Sequence, residues 1–201
     1  MEGIIFLWLF WIYWIVATFF MGKNKMRQFI SIAILIAIIF STYSIEVLNM
    51  KITLTTLFLL LTSYLFMAKQ KELKGIYLFI ASFIIMLAYA TFHLFELYDP
   101  VWLIFNRNIM LSCLLTYLTL LLHNEFKFRI VILICGMIHG EFLYAFALKN
   151  ITSSYLIGSY AFFDVIALSV GITLIIHAFK RVSLYFEYQI KHLERGKQKP
   201  S

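Results

Sequence analysis

Charge is scarce in this chain: Asp, Glu, Lys and Arg make up 13% of its 201 residues, about half the share of an ordinary soluble domain. Proline occurs twice and glycine eight times, which leaves nothing for a loop-rich or collagen-like repeat. The two cysteines, Cys113 and Cys135, both fall inside apolar runs. Neither a disulfide framework nor a Cys-based zinc site is signalled. A glycine-rich phosphate loop is missing, and no linker is long enough to hold a soluble domain. That excludes a kinase, cyclase or nucleotide-hydrolysing module and a receptor with a ligand-binding ectodomain. What fills the chain is apolar: 63% hydrophobic and 18% aromatic, with a mean hydropathy of +0.90. A soluble fold of this length has too little interior for so much apolar surface. The expected class is an all-α polytopic membrane protein.

A membrane-spanning helix needs about 20 predominantly apolar residues. Seven such runs are present, at roughly 3–21, 29–48, 52–68, 75–96, 101–122, 130–148 and 155–179. Their apolar residues are continuous rather than alternating, which disfavours a β-barrel. Backbone in hydrocarbon must satisfy its own hydrogen bonds, so the runs are expected as helices. The first begins Met1-Glu2-Gly3 with no basic flank and no small-x-small cleavage pattern, and reads as a retained span.

The linkers alternate in charge. Lys23, Lys25 and Arg27, then Lys69, Lys71 and Lys74, then Lys127 and Arg129, then the tail all fall on one side. The other side holds Lys51 and Lys149, and the linker with Glu96, Asp99 and Pro100 has no base. Fourteen basic residues against two predict the N-terminus outside and the C-terminus in the cytoplasm. The net charge of +7 then needs no nucleic acid to explain it; the bilayer is the expected partner. Trp8 and Trp102 suit an outer interfacial belt. The tail, 180–201, keeps a helical rhythm in Val182, Phe186, Ile190 and Leu193, joined by Tyr185, with basic residues between. It reads as a basic amphipathic helix on the inner leaflet or as a cytoplasmic extension of span seven.

Ionisable groups inside a bilayer cost several kcal/mol unless paired or hydrated. Arg107, His139, Glu141 and Asp164 lie within the expected spans, with His93 and Glu96 near the outer end of span four. At about 1.5 Å per residue, Arg107, Glu141 and Asp164 come out about 9, 10 and 13 Å below the outer boundary. An ion-paired cluster is therefore expected, Arg107 with Asp164 or Glu141, supported by Asn106 and Asn108. His93 and Glu96, three apart, share a helix face. His139 and Glu141 are two apart, about 200° around a helix, so a compact metal site using both is not expected. Two readings stay open for the cluster: a tie that locks the spans together, or a polar cavity for a small solute, proton or lipid headgroup. Gly136 and Gly140 form a small-xxx-small motif, which lets a neighbouring helix approach closely, within the chain or across a homo-oligomer.

Signatures of known membrane enzymes and pigments are missing. No Lys lies at mid-depth of the last span for a retinal Schiff base, no His-x-x-x-His pair is present, and no Gly-x-Ser-x motif occurs. No cofactor or metal is expected. The start Met1-Glu2-Gly3-Ile4, the stretch Trp11-Ile12-Tyr13-Trp14-Ile15-Val16 and the following Ala17-Thr18-Phe19-Phe20-Met21 give a chain that resembles the YphA-like small integral membrane proteins of Bacillus-type bacteria. The resemblance spans nearly the whole length, implies a bacterial plasma membrane and contributes no active site. Two functions are expected as alternatives. One is a non-enzymatic structural or accessory protein working through a membrane protein partner. The other is a small transporter or sensor that binds its ligand at the outer polar cluster.

Overall fold

The computed structural model describes residues 2–47, 50–149 and 155–197. Seven α-helices carry the fold among the described residues. Helix α1, Ile4–Ile15, continues as a π-helical turn, Val16–Phe20. Helix α2 is Lys25–Phe40, followed by strands β1, Ser44–Val47, and β2, Met50–Thr53. Then come α3, Leu54–Ala68, α4, Glu72–Tyr98, a 3-10 turn at Pro100–Trp102, α5, Arg107–Leu122, and α6, Phe126–Leu148. Strand β3, Leu156–Ile157, precedes α7, Tyr160–Lys197. Three helices are long and apolar enough to cross a membrane: α4, α6 and α7 over Tyr160–Gln189. Ile4–Phe20, α3 and α5 are apolar but shorter.

Four of the expected runs coincide with helices to within four residues: α1 with its π turn, α3, α4 and α6. The other three need correction. The run 29–48 stops being helical at Phe40, because Ser41 Oγ and Thr42 Oγ1 take the carbonyls of Ile38 and Ile39 at 2.7 and 2.9 Å. Hydroxyls that bond back to the last turn offer the chain an exit from the helix. The β-branched stretch beyond it pairs as a hairpin, with Ile45 opposite Ile52 and Glu46 opposite Lys51. Glu46 and Lys51 form an ion pair at 3.3 Å. The run 101–122 becomes helical only at Arg107. Asp99 accepts from the Val101 N–H at 3.0 Å to start the Pro100 turn, and Asn106 Oδ1 caps α5 through the Asn108 N–H at 3.0 Å. The run 155–179 begins with β3, which joins β2 in parallel, Lys51 opposite Leu156 and Ile52 opposite Ile157. The resulting sheet has the order β1-β2-β3. At its other limit α7 runs unbroken past residue 180, with Val182, Tyr185 and Phe186 exposed; the side chains of Ile190, Leu193 and Trp102 lie outside the described set.

Helices α4 and α6 form the spine. A Cβ at Gly136 would lie 2.5 Å from Ile85 Cβ and 2.6 Å from the Ser82 carbonyl, and one at Gly140 would lie 2.8 Å from Tyr89 Cβ. The motif's close approach is thus made within the chain, against α4. Ile85, Ile132, Met137 and Ile138 are fully buried around it. Helix α5 meets α7 through hydroxyls: Ser112 Oγ reaches the Val165 carbonyl at 3.2 Å and Thr116 Oγ1 the Ser169 carbonyl at 3.3 Å. These residues are four apart on each helix, so one seam carries both bonds. Large apolar side chains such as Trp8, Phe20, Phe79 and Phe83 stay on the outside, as expected where the solvent is lipid.

Candidate functional site

The polar residues singled out from the sequence resolve into four arrangements, two of which meet at Tyr89. Glu141 sits seven residues before the end of α6, about 10 Å inside it, and is 1% exposed. Its Oε2 accepts from the Tyr89 hydroxyl at 2.5 Å. Its Oε1 accepts from the Tyr155 hydroxyl at 2.9 Å and the Gly158 N–H at 3.4 Å. Gly158 has φ +78°, and a Cβ there would lie 1.9 Å from Thr56 Oγ1. Only glycine fits that turn. Thr53 Oγ1 holds it from the other side through the Gly158 carbonyl at 2.9 Å. Glu141 thereby ties α6 to α4 and to the β3–α7 connection.

Asp164 is the fifth residue of α7, about 6 Å from the helix start. It stands nearer the start of its helix than the run 155–179 implied, because residues 156–157 are strand. Its Oδ2 accepts from the Gly3 N–H at 2.8 Å and its Oδ1 from the Phe6 N–H at 2.7 Å. The carboxylate therefore caps α1 from another helix, satisfying amides that a helix start leaves bare and meeting the positive end of its dipole.

Arg107 is the first residue of α5, not a residue deep in a span. Its ion-pair partner is Glu96, with Nη1 3.5 Å from Oε1, and neither Asp164 nor Glu141 takes that place. Among the described residues Asn106 and Asn108 give the guanidinium no hydrogen bond; the Asn106 side chain caps α5 at the Asn108 N–H. Glu96 also meets His93, Oε2 to Nδ1 at 3.3 Å, which completes a His93–Glu96–Arg107 chain along the ends of α4 and α5. The His93 ring lies between Tyr89 and Tyr144, at centroid distances of 4.6 and 5.0 Å. Its Nε2 is buried and, among the described residues, has no hydrogen-bond partner.

His139 belongs elsewhere, between α6 and α3. Its Nε2 meets the Tyr64 hydroxyl at 2.5 Å and its Nδ1 the Cys135 carbonyl at 2.7 Å. Among the described residues no group of three or more His, Cys, Asp or Glu is placed to hold a metal ion. Sequence reasoning did not anticipate Tyr64, Tyr89, Tyr155 and Gly158. A tyrosine in an apolar run carries a hydroxyl that needs a partner when buried, and that was the available signal.

At the opposite end, His123 follows α5 in a short connection and is half-buried. Its Nδ1 accepts from the Glu125 N–H at 2.9 Å. Arg129, buried, donates from Nε to the His123 carbonyl at 2.6 Å. Lys74 reaches Glu125 at 3.0 Å and lies over the Phe128 ring. Partial burial lowers the His123 pKa below its ordinary 6.5; Glu125 opposes this and Lys74 adds to it.

Compared with known proteins, residues 2–199 match a family model described as YphA-like integral membrane protein. "Uncharacterized protein YphA" of Bacillus subtilis (strain 168) is 27% identical over 210 residues, covering 100% of both chains. No solved structure matches.

Proposed function

The chain belongs to the YphA-like integral membrane protein family, and from that premise we propose a seven-span plasma-membrane protein of non-enzymatic, accessory type that works through protein partners. The relative from Bacillus subtilis supports a bacterial cell membrane. Seven helices with short connections support seven spans, and the fourteen-to-two division of basic residues supports an outer N-terminus and a cytoplasmic C-terminus. Helices α2, α3 and α5, of 16, 15 and 16 residues, fall short of the usual length. Thr53, buried at the end of β2 directly before α3, extends the α3 crossing with backbone that the sheet satisfies.

The observation that carries the accessory reading is the internal commitment of both buried carboxylates. All four oxygens of Glu141 and Asp164 accept from the protein itself, so these charges hold the bundle together. The surface left for a partner is the projecting part of α7, where Tyr185 and Phe186 are exposed among basic residues. Crosslinking and co-purification from native membranes test this: a specific co-purifying membrane protein is expected, and a clean monomer overturns the reading. Glu141→Ala and Asp164→Ala are expected to lower the amount of folded protein, and Arg107→Ala to leave it intact. A second reading, a small-solute or proton site, draws on the unpartnered His93 Nε2 beside Glu96 and the half-exposed Arg107. It requires His93→Phe and Arg107→Ala to fold normally yet lose ligand binding or a cellular phenotype.

A further inference from the structure

A groove of about 460 Å³ opens where α1 ends and α2 begins, lined by Thr18, Arg27, Gln28, Ser31 and Ile32. The π turn shapes one wall. Arg27 Nη1 donates to the Thr18 carbonyl at 3.2 Å, and Thr18 Oγ1 lies 3.3 Å from Ser31 Oγ. One guanidinium N–H is thus spent on holding the side chain over the groove, and a guanidinium has five. No Asp or Glu occurs between Gly3 and Ile45, and among the described residues Arg27 is in no ion pair. Ile32 in the groove wall is exposed, as are Phe19 and Phe29, the chain neighbours of Thr18 and Gln28. The groove is lined mostly by apolar surface, Ile32 included, with the Arg27 guanidinium and the Thr18 and Ser31 hydroxyls set into it, and lies among Lys23, Lys25 and Arg27.

We propose that this groove binds the phosphodiester of an anionic phospholipid headgroup. Arg27 supplies the charge, Gln28 and Ser31 supply neutral hydrogen bonds, and the apolar lining around Ile32 takes the start of the acyl chains. Arginine suits the role because its planar fork matches phosphate oxygens. The apolar flank distinguishes a lipid from a free phosphate, which would gain nothing from it.

Native mass spectrometry of the full chain in neutral detergent tests the proposal, with phosphatidylglycerol, phosphatidylcholine and inorganic phosphate as separate probes. Phosphatidylglycerol is expected to bind about tenfold more tightly than phosphatidylcholine, and Arg27→Gln to erase that preference. Lys127→Gln removes the same charge from an exposed site on the same end and is expected to change affinity less than about twofold. Equal losses in the two variants would mean diffuse attraction to basic surface and overturn the site. Displacement of the lipid by inorganic phosphate at equal concentration overturns the lipid assignment in favour of a free anion. Ser31→Leu fills the groove and leaves every charge in place. Unchanged phosphatidylglycerol affinity in that variant overturns the proposal even if Arg27→Gln fails to fold.

Discussion

Tyr89 and Tyr155 approach Glu141 from different elements, and each satisfies one oxygen. Tyr89→Phe keeps the packing and strips one donor from a carboxylate that water cannot reach. The expected loss is about 1–3 kcal/mol, read from unfolding in detergent, and Tyr155→Phe should cost less because the Gly158 N–H remains on that oxygen. His123 responds to pH. Burial favours its neutral form in the folded state, so its contribution is present above its ordinary 6.5 and is lost as pH falls through the lowered value. The midpoint of thermal unfolding should fall on acidification below 6.5, and His123→Asn should flatten that dependence. Part of this scale was legible beforehand: Arg107, Glu141 and Asp164 stood out because charge is expensive in hydrocarbon. Their partners were not, since Tyr89 and Glu141 are 52 residues apart and Asp164 and Gly3 are 161 apart. Spacing along a chain carries no record of such pairings.

Among the elements, α4 and α6 approach most closely at Gly136 and Gly140. Gly136→Ala places a methyl against a backbone carbonyl, which cannot swing aside, whereas Gly140→Ala meets the side chain of Tyr89. Both should destabilise by about 1–3 kcal/mol, Gly136→Ala more, with the difference measurable by denaturant titration in micelles. Hydropathy located the long helices because a buried or lipid-facing helix is continuously apolar. It overran at residues 41–47, 101–106 and 155–159 because strand, turn and helix can all be apolar at the end of a bundle. The signals that set those limits are small: the Ser41 and Thr42 hydroxyls, the Asp99-Pro100 pair and the Asn106 cap. Each decides only a few residues, and each is overwhelmed in a window of about 19.

For the whole molecule, orientation is the quantity to measure. After replacement of Cys113 and Cys135 by serine, Glu46→Cys and Asp99→Cys should react with a membrane-impermeant maleimide on intact cells. Lys71→Cys and Glu187→Cys should react only after the membrane is opened; the reverse pattern would invert the topology. The Asp164 cap on α1 has a bearing on how such a chain is made. Helix α1 leaves the ribosome first, and at about 5–20 residues per second its cap follows on the order of ten seconds or more later. Until then the amides of Gly3 and Phe6 have no partner from within the helix, and bare amides in an apolar setting cost several kcal/mol. A nascent chain cut short before residue 164 therefore keeps an uncapped first turn in α1. Completion of the seventh helix closes it, so the opening turn of the protein reports whether synthesis reached the last one.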